Sequence, residues 1–289
     1  MLNQQISRSS GFTGVISNLG GLENKGIEFS ISVVPIQTKD FSWQINFNYA
    51  HNKNYVSSLP TGDQYNPQSN TFLMRVGKPF YSFYTRGWAG VDPNTGSPLW
   101  YTDSTKSATT TSFASAKLFL VGKSASPTDF GGLGNTFTYK NFTLGIDFYY
   151  NYGNYIIDNY ARFFTDGSFP TRGKYAFMLN RWQKKGDITN VPKYIYGDPR
   201  NGASGSDRII YKGDYIRLRN LQVGYRLTDK NTLSKLHLSA LAFYVRGSNL
   251  WTKIYDNNLT SDPEQGVQGF NNQSVAPSKS VTVGLNLTF

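Results

Sequence analysis

The last ten residues constrain this chain most. In the stretch from Ser280 to Phe289, Val281, Val283, Leu285, Leu287 and Phe289 alternate without a break against Thr282, Gly284, Asn286 and Thr288. Side chains of a strand point to opposite faces in turn, so one face is wholly apolar and the other polar. A half-buried strand of a soluble sandwich is one reading. An edge strand of that kind would leave an apolar face and an unpaired edge in water. A lipid-facing strand of an outer-membrane barrel is the other reading. It requires apolar residues outward, small and polar ones inward, and an aromatic at the interface.

Composition favours the barrel. Aromatics make up 16% of the 289 residues, high for a soluble domain, while the mean hydropathy of −0.44 looks soluble. The two agree if only alternate residues in part of the chain meet lipid. No run of about 18 apolar residues exists, which excludes a transmembrane helix. The lack of Cys removes disulfide frameworks, thiolate metal sites and cysteine nucleophiles. The net charge of +11 comes from scattered Lys and Arg, a pattern of lumen and interface charge and not of a nucleic-acid surface. The first ten residues hold neither the apolar core nor the cleavage site of a signal peptide, so an exported barrel requires a start upstream.

Along the chain, Ile27, Phe29, Ile31 and Val33 alternate with polar residues in a first strand closing near Pro35. A turn at 37–40 leads to Phe41, Trp43, Ile45, Phe47 and Tyr49, which makes a hairpin. Residues 51–128 are long and irregular, with room for a smaller hairpin near Phe72–Tyr84 and Leu99–Tyr101. Phe137 and Tyr139 sit on one parity, and Phe142, Leu144, Ile146, Phe148 and Tyr150 on the other. The change falls at Lys140-Asn141, as a two-residue hairpin turn requires. A second long segment, 153–213, holds a short helix between Tyr160 and Trp182. The strand at 216–227 keeps its apolar face constant only with a bulge at Arg219-Asn220. A turn at 228–235 precedes a strand from Leu236 to Val245 whose parity shifts near Ala240. A third long segment, 250–277, precedes the terminal strand. Connections thus run short, long, short, long, short, long. Porin-like barrels put short turns in the periplasm and long loops outside, which places the C-terminus in the periplasm. Gly145, Gly224 and Gly284 each fall mid-strand and inward, marking either curvature or a body packed in the lumen.

Several segments, taken in this order, carry a resemblance. They are 18–28, 41–54, Val76 to Pro79, Tyr139 to Phe142, Gly213 to Tyr225, Gly247 to Trp251, Asp262 to Glu264 and the terminal strand. Together they resemble the C-terminal part of SusC/RagA-type TonB-linked outer-membrane transporters. The resemblance implies an all-β fold, an antiparallel transmembrane segment of a barrel of roughly 22 strands with a plug in its lumen. It implies import of glycan or peptide fragments beneath a SusD-like surface lipoprotein, powered by the TonB complex. Residues 1–289 contain no plug and no TonB box, so they read as one part of a larger protein, with an open, curved sheet of roughly seven to nine strands. Val281, Val283, Leu285, Leu287 and Phe289 resemble the signal read by the barrel-assembly machinery. A barrel that binds at the surface without transport, like an adhesin, is the alternative.

Catalytic chemistry has little footing. His51 and His237 are not spaced as metal ligands, no Gly-rich loop opens a helix, and no cofactor is implied. Asp262 and Glu264 form a carboxylate pair, yet Asp-Pro is an ordinary turn starter. Ligand contact, if present, belongs to Trp88, Trp100 and Trp182, with Tyr65 and Tyr84, in the segments placed outside the membrane. Aromatic girdles compete with sugar stacking as their explanation.

Overall fold

The structure, a computed structural model, describes residues 2–4, 9, 11, 15–17, 20–67, 69–165, 167–198, 205–264, 268–271 and 275–289. Seven strands form its main sheet: β1 (Gly21–Gln37), β2 (Phe41–Ser58), β3 (Asp129–Tyr139), β4 (Phe142–Tyr152), β5 (Tyr215–Leu227), β6 (Ala240–Ile254) and β7 (Ser280–Thr288). Each pairs antiparallel with its sequence neighbours, in the order β1 to β7 without a crossover. Among the described residues β1 and β7 each pair on one side only, so the sheet is open.

Two transverse rows show why these residues form this wall. One runs Ile36, Trp43, Phe137, Leu144, Val223, Val245, Val283, each opposite the next across the ladder. Every member is apolar. The other runs Ser32, Asn46, Gly134, Asp147, Asn220, Ser248, Ser280, and every member is small or polar. The apolar face is open to the surroundings: Val223 is 51% exposed and Val283 64%. In a soluble protein that area would be covered; in a bilayer the solvent itself is apolar. The polar face is laced instead. Ser32 Oγ donates to Asn46 Oδ1 at 2.8 Å, Arg246 Nε to Gln222 Oε1 at 2.7 Å and Ser248 Oγ to Asn220 Oδ1 at 3.3 Å.

The short turns lie at one edge. Lys140 takes φ of 50°, the positive value a two-residue hairpin turn needs, and its N–H donates to Asp40 O at 2.7 Å. The third short connection holds a helix, Lys230–Lys235, capped by Asp229, whose carboxylate accepts the Thr232 N–H at 2.8 Å. That helix explains the parity shift near Ala240: residues 236–239 turn from helix to strand, and β6 begins at Ala240. The bulge falls where expected. Asp147 pairs with Asn220 and Phe148 with Leu218, so Arg219 is the extra residue.

The strands overrun their expected limits. β1 continues past Pro35 to Gln37, β2 runs past Tyr49 to Ser58, and β6 reaches Ile254. The alternation of apolar and polar residues stops where the apolar band stops, whereas backbone pairing carries on beyond it. Of the inward glycines, Gly284 lies under the Tyr244 ring, where a Cβ would come within 2.2 Å of a ring carbon. A neighbouring side chain therefore explains Gly284. Gly145 and Gly224 have no such neighbour nearer than 3.8 Å.

The three long connections fold together at the opposite edge. Leu118–Ser124, Ser82–Arg86, Ser69–Met74 and Gln64–Asn66 form a four-stranded sheet, larger than the expected small hairpin. A three-stranded sheet joins Ile210–Lys212, Tyr155–Asp158 and Phe270–Asn271 from the second and third connections. Phe72, Phe83, Ala125, Ile157, Ala161, Ile209 and Ile210 make a common core with Phe270 packed against it. The expected helix between Tyr160 and Trp182 is two short pieces, Ala161–Thr165 and a 3-10 turn at Ala176–Asn180.

Candidate functional site

Two fastenings hold this loop body to the wall. The first is the Val76 to Phe80 stretch. Gly77 N–H donates to Val56 O and Val56 N–H to Lys78 O, both at 2.9 Å, and Phe80 N–H donates to Asn54 Oδ1 at 3.0 Å. Gly77 takes φ of +77°, a turn that a side chain would strain. Val56, 2% exposed, packs with Met74, Leu59 and Phe80. The stretch is thus a clip on β2, and Lys78 within it is exposed.

The second fastening joins the third connection to β5. Arg217, 1% exposed, donates through Nη2 to both carboxylate oxygens of Asp262 at 2.6 and 2.7 Å, and its Nε lies 3.4 Å from Glu264 Oε2. Arg219 reaches the other oxygen of Glu264. Arg217 and Arg219 lie two residues apart on β5 and so share the inward face, where they meet the two carboxylates; the bulge at Arg219 keeps Asn220 on that face as well. The Glu264 N–H also donates to Asp262 Oδ1 at 2.9 Å, the turn geometry expected of Asp-Pro. Sequence reasoning missed the arginine partners. The usable signal was the matched spacing, Arg-x-Arg on a strand and Asp-x-Glu in a loop.

Of the cavities in the loop body, two adjoin each other. The larger, about 510 Å³, is lined by Trp88, Lys123, Asn190, Asp207, Arg208 and Asp256 among others. The Trp88 N–H donates to Asp207 Oδ1 at 2.6 Å, and the Arg208 guanidinium lies over the Trp88 ring at 4.8 Å. The smaller, about 360 Å³, is lined by Arg75, Lys78, Pro79, Ser82, Leu120, Gly122, Lys123 and Ser124. Lys123 borders both. Its Nζ donates to the Asp207 and Ile210 carbonyls at 3.4 and 3.3 Å, and burial holds its pKa below the ordinary lysine value.

The three tryptophans part company here. Trp88 borders the larger cavity and is half-buried. Trp100 is 0% exposed, between the rings of Trp88 and Phe113 at 5.9 and 5.2 Å. Trp182 is 8% exposed, with its indole N–H donated to Pro93 O at 3.0 Å and Gly96 against its ring. Trp100 and Trp182 are therefore packed into the core of the loop body, whereas Trp88 borders a cavity. Tyr65 and Tyr84 pack edge to face at 5.8 Å. Val281, Val283, Leu285 and Leu287 lie on the apolar face of β7, and Phe289 follows its end, 87% exposed. Asp262 and Glu264 are bound into ion pairs. His51 Nδ1 lies 2.9 Å from Asp129 Oδ1, and no cluster of metal-ligating side chains occurs among the described residues.

A consecutively paired antiparallel sheet, apolar outside and polar inside with its long connections at one edge, is the wall of a transmembrane β-barrel. No family model matches the chain. It is 31% identical over 313 residues to TonB-dependent receptor P3 of Formosa agariphila, covering 97% of this chain and 30% of that protein. To TonB-dependent receptor SusC of Bacteroides thetaiotaomicron it is 27% identical, covering 72% of this chain and 21% of that one. It superposes on the RagAB peptide importer in the 'open-open' state with a TM-score of 0.85 at 25% identity, covering 100% of this chain and 31% of that chain. The chain is a β-barrel portion of the SusC/RagA family of TonB-dependent receptors. It spans about a third of the length of the first curated relatives it matches.

Proposed function

We propose that the chain supplies seven adjacent wall strands and the outward connections of a TonB-dependent importer in the outer membrane. The cargo is an oligosaccharide or a peptide. The observation that carries this reading is the superposition of the whole chain, wall and loop body together, on a peptide importer. The long connections face outward beneath a SusD-like lipoprotein, and the short turns and C-terminus face the periplasm. TonB acts through parts of the receptor outside these residues, and no chemical step is required of this portion.

Two experiments test the reading. In intact cells, an impermeant thiol label should reach a Cys placed in 51–128, 153–213 or 250–277 and should miss Asn141→Cys. Labelling of Asn141→Cys from outside reverses the orientation. Uptake of labelled oligosaccharide or peptide by the full receptor should stop when TonB is deleted. Surface binding that persists without any TonB-dependent uptake favours the adhesin-like alternative.

The terminal strand belongs to assembly in this reading. Phe289→Asp should sharply lower the receptor's abundance in the outer membrane, where the barrel-assembly machinery inserts it. Unchanged abundance would remove that role and leave Phe289 as an interface aromatic.

A further inference from the structure

The Val76 to Pro79 stretch does more than fasten the loop body, because of what Lys78 meets. We propose that the 360 Å³ cavity between Arg75, Lys78 and Lys123 binds an oxyanion, a carboxylate or sulfate group carried by the imported ligand. The proposal rests on the import reading and names a chemical class within it.

Three cationic side chains line the cavity, and among the described residues no Asp or Glu does. Arg75 is held by Asp63 through Nε at 2.9 and 3.1 Å, which fixes its position and neutralises it. Lys78 and Lys123 are not neutralised in this way. The half-buried Lys123 ammonium donates to two backbone carbonyls and lies over the Tyr155 ring at 5.6 Å, and the Asp207 carboxylate lies on the wall of the larger cavity, engaged by the Trp88 N–H. The Lys78 side chain has no partner among the described residues, although its backbone is locked to β2. No carboxylate pairs with either ammonium among the described residues, so an anion entering the cavity meets two cations that no acidic side chain neutralises. Ser124 Oγ accepts the Ser126 N–H at 3.2 Å, which leaves its own proton to donate.

Size and geometry narrow the ligand. The volume is roughly ten times one water's share of liquid. That is room for an oxyanion together with the sugar ring or peptide unit bearing it. Lysine ammonium groups act as point charges without the planar fork of arginine, so carboxylate and sulfate are both accommodated. Leu120 and Pro79 supply an apolar wall for the carrier.

The test uses the full receptor purified in detergent and calorimetric titration with two matched pairs of probes. One pair is a sulfated disaccharide and its desulfated form; the other is a Glu tripeptide and its Gln form. The acidic member of at least one pair should bind more tightly than its neutral partner, and the sugar and peptide arms tell which carrier is used. Lys78→Glu, at an exposed position, should weaken that binding by about tenfold and leave the neutral member unchanged. Lys39→Glu, in the turn at the far edge, controls for net charge and should change neither. Failure of both acidic probes to bind, equal affinity within both pairs, or an acidic affinity untouched by Lys78→Glu overturns the anion site. TonB-dependent uptake of neutral probes judges the import reading separately.

Discussion

Replacing Val223 with Arg should destabilise the folded barrel by about 2–4 kcal/mol, the cost of a cationic side chain on the lipid face near mid-bilayer. Val223 belongs to the apolar row, between Leu144 and Val245. The same residue introduced one strand away on the other face, as Thr143→Arg, should cost little, because Thr143 lies opposite Gly224 on the polar side, where a Cβ at Gly224 would meet nothing nearer than 3.8 Å. Both variants keep the backbone ladder and add the same charge, so their difference isolates the face. Urea unfolding of the receptor, with outer-membrane abundance as a second readout, measures it. Equal losses in the two variants would mean that the apolar face does not meet lipid.

Asp262→Ala should release the third long connection from the wall. Removing one partner of a buried pair leaves an uncompensated charge, at a cost of about 3–5 kcal/mol. Arg217 keeps a contact from Glu264 at 3.4 Å, so the lower end of that range is expected. The effect is local. Hydrogen exchange and protease cleavage should rise across 255–264 and leave β5 and β6 protected. Replacing Arg217 and Asp262 together by Leu should recover much of the loss, since two apolar residues leave no unpaired charge. Cleavage that stays slow in Asp262→Ala would mean that the Phe270–Asn271 pairing, with the bond from Asn271 Nδ2 to Asp158, holds the connection alone.

The wall was legible in the sequence because lipid imposes one rule on every second residue. Wherever that rule applies, as in Phe142 to Tyr150, the strand, its face and its turn follow from parity. Where the rule lapses, at Asn52, Asn54 or Thr252, the strand continues on backbone hydrogen bonds that leave no mark on composition. The bulge at Arg219 was readable since a slip in parity has one cheap explanation. The ion pairing of Arg217 and Arg219 was not, because the partner carboxylates lie 45 residues away in a loop. The tryptophans show the same limit. Trp88, Trp100 and Trp182 look alike in sequence, and only the packing of Phe113 and Gly96 reveals which rings are covered. Lys78 was part of a recognised segment, yet its setting beside Lys123 depends on a strand more than forty residues further along the chain.

The unequal strands make the wall a lopsided structure in mechanical terms. β7 has 9 residues and β2 has 18. Past Ile27 opposite His51, the β1–β2 ladder continues through residues 52–58, roughly 20 Å of strand. That hairpin is a post standing clear of the bilayer on one side of the rim. The loop body is clipped near its top through Asn54 and Val56 and tied lower down at Arg217, which makes it a bracket with two fixings at different heights. A downward load on the bracket becomes tension at one fixing and compression at the other. The upper fixing lies past the alternating apolar stretch of β2, whereas the lower one is made on β5 between Ile216 and Leu218 of the apolar face, so part of that load passes into the wall itself.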